Sequence, residues 1–387
     1  MKQAVIYKLY KNRKNKHLHQ KIDISGIIYN HCIGLCKKYY KIFGQSLNKY
    51  KLQKHLTKIK KLEKYSFWNL LGSQAIQDIT DRIDRAYKLF FETRKTNKKS
   101  SPPSFKKVKK YKSFTLKQAG FKFFEDNKVK IGDKIFKFFK SRSLEGDIKT
   151  ITLRRDLLGD LYLIVVMEMN KKVDKKVMTG KIAGLDFGLK TFLTISNSEK
   201  MKSPYFYKKS SKQIAKCNRS LSRKKDGSNK RKKAKHKLAK VYKSLCNHRK
   251  NYFFHLALNL IKRYDYIFLE DLDIKAMQKI WGKKISDIAF YSFVKILKHT
   301  ANKHGKKVHQ IDRFYPSSKT CSNCGHINHN LKITDRFWTC PHCLMRLDRD
   351  INATINILRE GASSLGLDIV RLENSSEYCL KLESNAL

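Results

Sequence analysis

Apolar positions along this chain follow two periods. Residues 4–10, AVIYKLY, alternate and predict a short strand. From Ile22 to Phe43 the step is three or four residues, with Ile24, Ile28, Cys32, Leu35 and Tyr39 on one stripe. From Ser73 to Thr93 the same spacing joins Ile76, Ile79, Ile83, Ala86 and Phe90. Both stretches predict helices, and Pro102-Pro103 ends helical structure beyond the second. Residues 121–169 alternate or run β-branched, with turn signals at Asp126-Asn127, Gly132-Asp133 and Gly159-Asp160. A small antiparallel sheet or barrel is expected there. Residues 170–180 read as a lysine-rich linker.

From Lys181 the pattern changes again. KIAGLDFGLKTFLTIS predicts strand, tight turn at Gly188 and strand. Two basic helices follow, the second from about Lys230 to Arg263. Its apolar stripe is Leu238, Tyr242, Leu245, Tyr252, Leu256 and Leu260. YDYIFLEDL is a short apolar strand stopping at Glu270-Asp271. A helix is expected at 287–304, a strand at 308–312 and an Asp-capped helix at 350–358. Beyond Gly361 the pattern carries no signal.

Composition narrows the function. The 387 residues suffice for two or three domains, and 41% hydrophobic residues argue for packed cores. Against 32 Asp+Glu stand 86 Lys+Arg, a formal net charge of +54. Like charges at that excess repel one another, so a polyanion is the expected partner, and nucleic acid the obvious one. A membrane is not, because no 18-residue apolar run or terminal signal exists. Phe105, Tyr111 and Phe114 sit among lysines, placed either to stack on bases or to fill a core. NKRKKAKHK, opening the second basic helix, is a solvated charge run or a surface that tracks a nucleic-acid backbone.

Cysteine spacing is more specific. Cys321/Cys324 and Cys340/Cys343 form two Cys-x-x-Cys pairs flanking fifteen residues, within the range of a four-thiolate zinc site. Two disulfides, or four separate buried cysteines, are the alternatives. His326, His329 and His342 are nearby substitutes for a ligand, read first as surface histidines. The other five cysteines, Cys32, Cys36, Cys217, Cys246 and Cys379, make no disulfide framework, so an intracellular, cytoplasmic chain is expected. Cys32 and Cys36, one helical turn apart, read as core rather than metal ligands.

Three carboxylates sit where a fold alone would not want them. Asp186 interrupts an apolar strand, Glu270 ends another, and Asp350 follows the cysteines at a helix start. Burying an unpaired carboxylate costs several kcal/mol, so each calls for a cation. Converging, the three would hold Mg²⁺ or Mn²⁺, and two such ions suit phosphodiester hydrolysis. The alternatives are an N-cap role for Asp350 and a lysine partner for Glu270.

GLDFG, FLEDL and DRDINATINIL, with the cysteine pairs between the last two, resemble the split RuvC-like nuclease of the TnpB family. That family comprises transposon-associated, RNA-guided DNA endonucleases related to type V CRISPR effectors. SQAIQDITDRIDRAYKLFFETRK with PPSFKKVKKYKSF is similar to its helical recognition region, and PSSKTCSNCG to its zinc-ribbon entry. The resemblance implies a multidomain α+β chain. A wedge-like β-barrel would occupy 1–12 and 103–178, interrupted by a helical recognition domain at 13–102. A RuvC-like, ribonuclease-H-like α/β nuclease domain would occupy 179–317 and 347–362, with a four-Cys zinc ribbon at 318–346 and a tail at 363–387. It implies Asp186, Glu270 and Asp350 as metal-binding catalytic acids, with Asp348 the other candidate for the third, and Zn²⁺ on the four cysteines. It implies a guide RNA, double-stranded target DNA cut beside a short adjacent motif, and a monomer with RNA. Three local departures stand out: Leu344 where Gly is usual, Leu347 where His is frequent, and Asn-Ala-Thr at 352–354 for Asn-Ala-Ala. A nuclease-inactive, RNA-guided DNA-binding regulator and a DNA transposase are the competing functions.

Overall fold

A computed structural model describes residues 2–96, 99–169, 178–332, 334–371 and 376–380, without the side chains of 275, 281, 283 and 284. Most of the stretch expected to link at 170–180, and 381–387 of the tail, fall outside the described residues. The chain splits into two compact units, Met1–Lys171 and Lys172–Leu387.

The first unit begins with β1 (Lys2–Lys8), followed by helices α1 (Asn15–Phe43), α2 (Lys49–Ile59) and α3 (Ser73–Lys95). A 3-10 helix spans Glu63–Leu71 between the last two. Six strands follow: β2 (Ser113–Leu116), β3 (Phe121–Phe124), β4 (Lys128–Ile131), β5 (Lys134–Lys137), β6 (Asp147–Arg155) and β7 (Leu161–Glu168). One antiparallel sheet runs β1-β7-β6-β2, and β3-β4-β5 form a separate meander. Asp126 and Asn127 turn β3 into β4 with φ of 56° and 58°, the left-handed backbone that short Asx residues tolerate. α1 starts seven residues before the periodicity suggested, but its buried face carries the expected Ile24, Ile28 and Cys32. Cys36 is buried there too, and burial raises the Cys32 and Cys36 thiols to about 12 and about 11, as core cysteines should be. Tyr111 and Phe114 also join this core, which removes them from any base-stacking role. Phe105 stays exposed, with the Lys37 ammonium 4.8 Å from its ring centroid.

The second unit is built on a mixed sheet. Its strands are β8 (Lys181–Asp186), β9 (Thr191–Ile195), β10 (Lys200–Lys202), β11 (Tyr266–Glu270) and β12 (Lys307–Ile311), in the order β10-β9-β8-β11-β12. β9 is antiparallel to β8, whereas β11 and β12 run parallel to it. Helices α4 (Phe206–Ser222) and α5 (Asn229–Arg263) connect β10 to β11. Between β11 and β12 lie α6 (Ile274–Trp281), α7 (Lys283–Ile288) and α8 (Phe290–Lys303). The single helix expected at 287–304 is broken at Ala289, whose φ is 57°. A ribbon hairpin, β13 (Phe337–Thr339) with β14 (Arg346–Asp348), leads into α9 (Arg349–Ser364). Two short strands, β15 (Ile369–Arg371) and β16 (Tyr378–Leu380), extend the sheet, β16 pairing with the start of β8.

At the amino ends of the parallel strands Asp265 is fully buried, ion-paired to Lys306 and accepting from the Gly180 amide at 2.6 Å. α9 lies on the sheet because two glycines let it approach. A Cβ on Gly184 of β8 would lie 2.0 Å from the Thr354 carbonyl oxygen, and one on Gly361 of α9 would strike the Phe268 ring at 2.2 Å. Among the described residues no helix is long and apolar enough to cross a membrane.

Candidate active site and metal centre

β8 and β11 pair in register through Leu185 and Leu269, so the next residue on each, Asp186 and Glu270, ends its strand beside the other. Asp350 sits in the first turn of α9, one turn ahead of the Thr354 that rests on Gly184. All three are half-buried. Burial, then the fields of Glu270 and Asp350, raise the Asp186 carboxyl to about 7. Burial also raises Glu270, partly offset by a hydrogen bond from the Ser317 hydroxyl to its Oε1. Among the described residues no cation pairs with Asp186 or Glu270. Asp350 does have partners: Arg336 at 2.7 Å and, more loosely, Arg349 at 3.9 Å. Asp271, next to Glu270, is taken by Arg313 at 2.6 Å.

The two acids of Asp-Arg-Asp divide their tasks. Asp348 caps α9, its Oδ1 accepting from the amides of Asp350 and Ile351 at 3.0 and 3.1 Å. Burial raises its pKa, but Lys200 and the two amides outweigh that and hold it low. Capping occupies Asp348 and leaves Asp350 with the other acids. The three carboxylates do not close to within 4.8 Å of one another. Oxygen-only donors carrying excess negative charge, two of them without a cation, fit hard divalent ions. A cleft of about 290 Å³ beside Glu270 is lined by Tyr291, Lys295, Lys298 and Gln310, giving polyanions a basic approach.

The cysteines do gather. The sulfurs of Cys321, Cys324, Cys340 and Cys343 all lie within 4.8 Å of one another, Cys321 to Cys343 at 3.7 Å and Cys324 to Cys340 at 3.6 Å. Zinc–sulfur bonds of about 2.3 Å in a tetrahedron require sulfurs about 3.8 Å apart, so the cluster fits a zinc ribbon. All four are free cysteines, which excludes the disulfide alternative. His326 and His342 are exposed and stack on each other at 5.8 Å, away from a ligand role. The Met345 amide draws the Cys343 thiol down to about 6, toward the thiolate a metal needs.

Comparison with known proteins bears on both centres. A family model described as a probable transposase, of the OrfB/IS605 type, matches residues 164–281, and a Cas12f1-like TNB domain model matches 290–357. A Streptomyces pristinaespiralis protein, named provisionally as an RNA-guided DNA endonuclease, is 29% identical over 83% of this chain and 80% of its own length. The Escherichia coli protein InsQ, named in the same way, is 25% identical over 76% and 75%. The chain is thus similar to TnpB-like proteins over most of its length. Its fold matches Cas12f1 from a cryo-EM complex with sgRNA and target DNA, at a TM-score of 0.59 and 15% identity over 89% of this chain and 83% of that one.

Several polar residues around the acids lie within the quoted motifs, but the sequence assigned them no role. Ser317, Asn352 and Asn356 are buried, with 4%, 1% and 3% of their surface exposed. The available hint was two asparagines four apart on the apolar face of a helix, where buried amides demand partners.

Proposed function

We propose that the chain is an RNA-guided DNA endonuclease, with Asp186, Glu270 and Asp350 as the metal-binding acids of a RuvC-like centre. The observation that carries this reading is the pair of cation-free acids at adjacent parallel strand ends, facing the first turn of α9. The strand order, with β8 between antiparallel β9 and parallel β11, supports a ribonuclease-H-like domain. The pairing of β1 with β7 supports one N-terminal wedge domain split by the recognition helices, with the division at 13–102 and 103–178.

Mg²⁺ or Mn²⁺ on these carboxylates supplies Lewis-acid stabilisation and a nucleophilic water for phosphodiester hydrolysis. The protein does the rest. Asp186 must ionise to hold an ion; the field of its two neighbours resists that ionisation in the absence of a cation and would attract the cation that offsets it. Arg336 keeps Asp350 oriented, while Lys295 and Lys298 line the cleft through which a phosphate backbone would reach Glu270. Zn²⁺ on the four cysteines is the structural ion of this reading. Lys230, Lys232, Lys233, Lys235 and Lys237 are exposed along the start of α5, a surface suited to nucleic-acid phosphates. Guide pairing would select the target, and the protein would read backbone shape and the adjacent motif.

The test is to express the chain with its flanking DNA, sequence the RNA that co-purifies, and offer a matched plasmid in Mg²⁺. One structured RNA ending in a variable guide is expected, with cleavage by the wild type and loss of at least about 100-fold in Asp186→Ala. Cutting by that variant at the wild-type rate removes the active-site assignment. Heterogeneous RNA removed by salt eliminates guided recognition.

A further inference from the structure

We propose that Ser317 is a positioning residue for Glu270, and that the four-cysteine ribbon holds Ser317 in place, so that loading the ribbon organises the carboxylate centre. The inference rests on the reading of Glu270 as a metal ligand and adds a connection between the two centres.

The connection is a short run of backbone. The Ser317 hydroxyl donates to Glu270 Oε1. The Ser317 carbonyl accepts from Asn356 Nδ2 at 2.8 Å and from Asn352 Nδ2 at 3.5 Å. Three residues on, the Thr320 carbonyl accepts from the same two amides, at 2.6 Å from Asn356 and 2.7 Å from Asn352. The Ser322 amide donates to Asn352 Oδ1 at 2.8 Å, and Arg359 donates to the Ser322 carbonyl. Cys321 lies between Thr320 and Ser322, so both neighbours of this ribbon ligand are fastened to α9. Bonds from Lys319 and Thr320 back to the Pro316 carbonyl, each at 3.0 Å, close the intervening turn.

Two buried asparagines on an apolar helix face are costly unless fully paired, and a satisfied buried network is rigid. Here its rigidity has a direction. Four sulfurs drawn to one ion fix Cys321; Asn352 and Asn356 carry that position to Ser317; Ser317 holds one oxygen of Glu270. A donor on one oxygen fixes the rotation of the carboxylate and so the direction of its other oxygen. Partners of this kind, one shell out from a ligand, commonly change metal affinity 10- to 100-fold when removed. Asp350 begins the same helix that carries the two asparagines, so α9 serves both centres.

The test uses the full-length chain and measures Mn²⁺ binding by electron paramagnetic resonance of the free ion, with zinc content determined on the same samples. Glu270→Gln is the control. If it binds Mn²⁺ like the wild type, the carboxylate reading fails, whatever Ser317 does. With that control weakened, Ser317→Ala is expected to bind Mn²⁺ about 10-fold more weakly at unchanged zinc content, and Ser317→Thr to restore affinity to within about 3-fold. Ser317→Val compared with Ser317→Thr, similar in shape and differing in the hydroxyl, serves if the alanine variant misfolds. Equal Mn²⁺ affinity in that pair overturns the positioning role. Stripping zinc with a chelator is expected to weaken Mn²⁺ binding by a similar factor. Unchanged binding in a stripped chain that keeps its circular dichroism overturns the coupling to the ribbon.

Discussion

Asp186 and Glu270 stand side by side at the ends of two parallel strands, one residue beyond the Leu185–Leu269 pair. Burial, then the fields of Glu270 and Asp350, raise the Asp186 carboxyl to about 7, well above an ordinary aspartate. In the metal-free chain this is a cost to folding. The native state binds a proton that the unfolded chain releases, so the site is least stable above pH 7 and relaxes as pH falls toward 4.

Asp186→Asn should therefore raise the melting temperature of the metal-free chain at about pH 8, by about 1–3 kcal/mol of stability, with the gain shrinking toward about pH 5. Melting curves of both proteins across that range, with Mg²⁺ chelated, decide it. A variant no more stable at high pH would mean that the acids are solvated well enough to bear their charge.

A different titration marks the first unit. His31 on α1 and His55 on α2 meet with their Nε2 atoms 3.0 Å apart and ring planes 14° apart. One proton fits between them. A second would set two N–H groups head to head, and burial already lowers both pKa values. Stability from the pair is present above the unfolded histidine pKa of about 6.5 and is lost as pH falls through the lower folded values. Hydrogen exchange of α2 amides should accelerate between about pH 7 and about pH 5 beyond its intrinsic pH dependence, and His55→Gln should flatten that change. Equal pH profiles in the two proteins would exclude the pair as its source.

In the second cysteine knuckle Leu344 has φ of 62°, while Gly325 has φ of 76° at the matching place in the first. Its amide bonds to the Cys340 carbonyl at 2.9 Å, so the turn cannot relax without losing that bond. The Leu344 side chain is 76% exposed and contributes little packing. Leu344→Gly should stabilise the ribbon by about 1 kcal/mol, seen as slower zinc loss to a chelator. Faster loss would show that the leucine contributes more than its strained backbone costs.

Gly184→Ala would drive a Cβ into the Thr354 carbonyl of α9, a backbone atom that cannot turn aside. A loss of about 1–3 kcal/mol is expected, with a disproportionate fall in target cleavage because Asp350 is displaced with the helix. Calorimetry alongside a cleavage assay separates the two effects. An unchanged melting temperature would mean that α9 does not rest on β8 at that glycine.

What could be read from the sequence was whatever burial makes anomalous. A carboxylate in the apolar run of β8, and thiols at knuckle spacing, stand out because folding alone gives them no reason to be there. The α5 stripe was drawn partly in the wrong place, since Tyr242 is 40% exposed while Val241 and Phe253 are buried. That helix packs against α4 early and against the sheet core and α8 later, so no single stripe runs its full length. The break at Ala289 had no glycine to announce it. β10, β15 and β16, three residues each, are too short for a period to develop. The Ser317–Asn352–Asn356 network stayed hidden because most of its partners are backbone groups, which every residue possesses.

The buried Asp265–Lys306 pair lies at the opposite ends of the strands from Asp186 and Glu270. One and the same set of strands thus has a neutralised pole and a charged pole, separated by four residues of β11, 266–269. Folding can be secured at the first without discharging the second. A lineage could remodel the loops at the charged pole, or disarm its acids, while the anchorage at the other end kept the sheet whole. Loss of the carboxylate centre and loss of structure are, on this scaffold, separable evolutionary events.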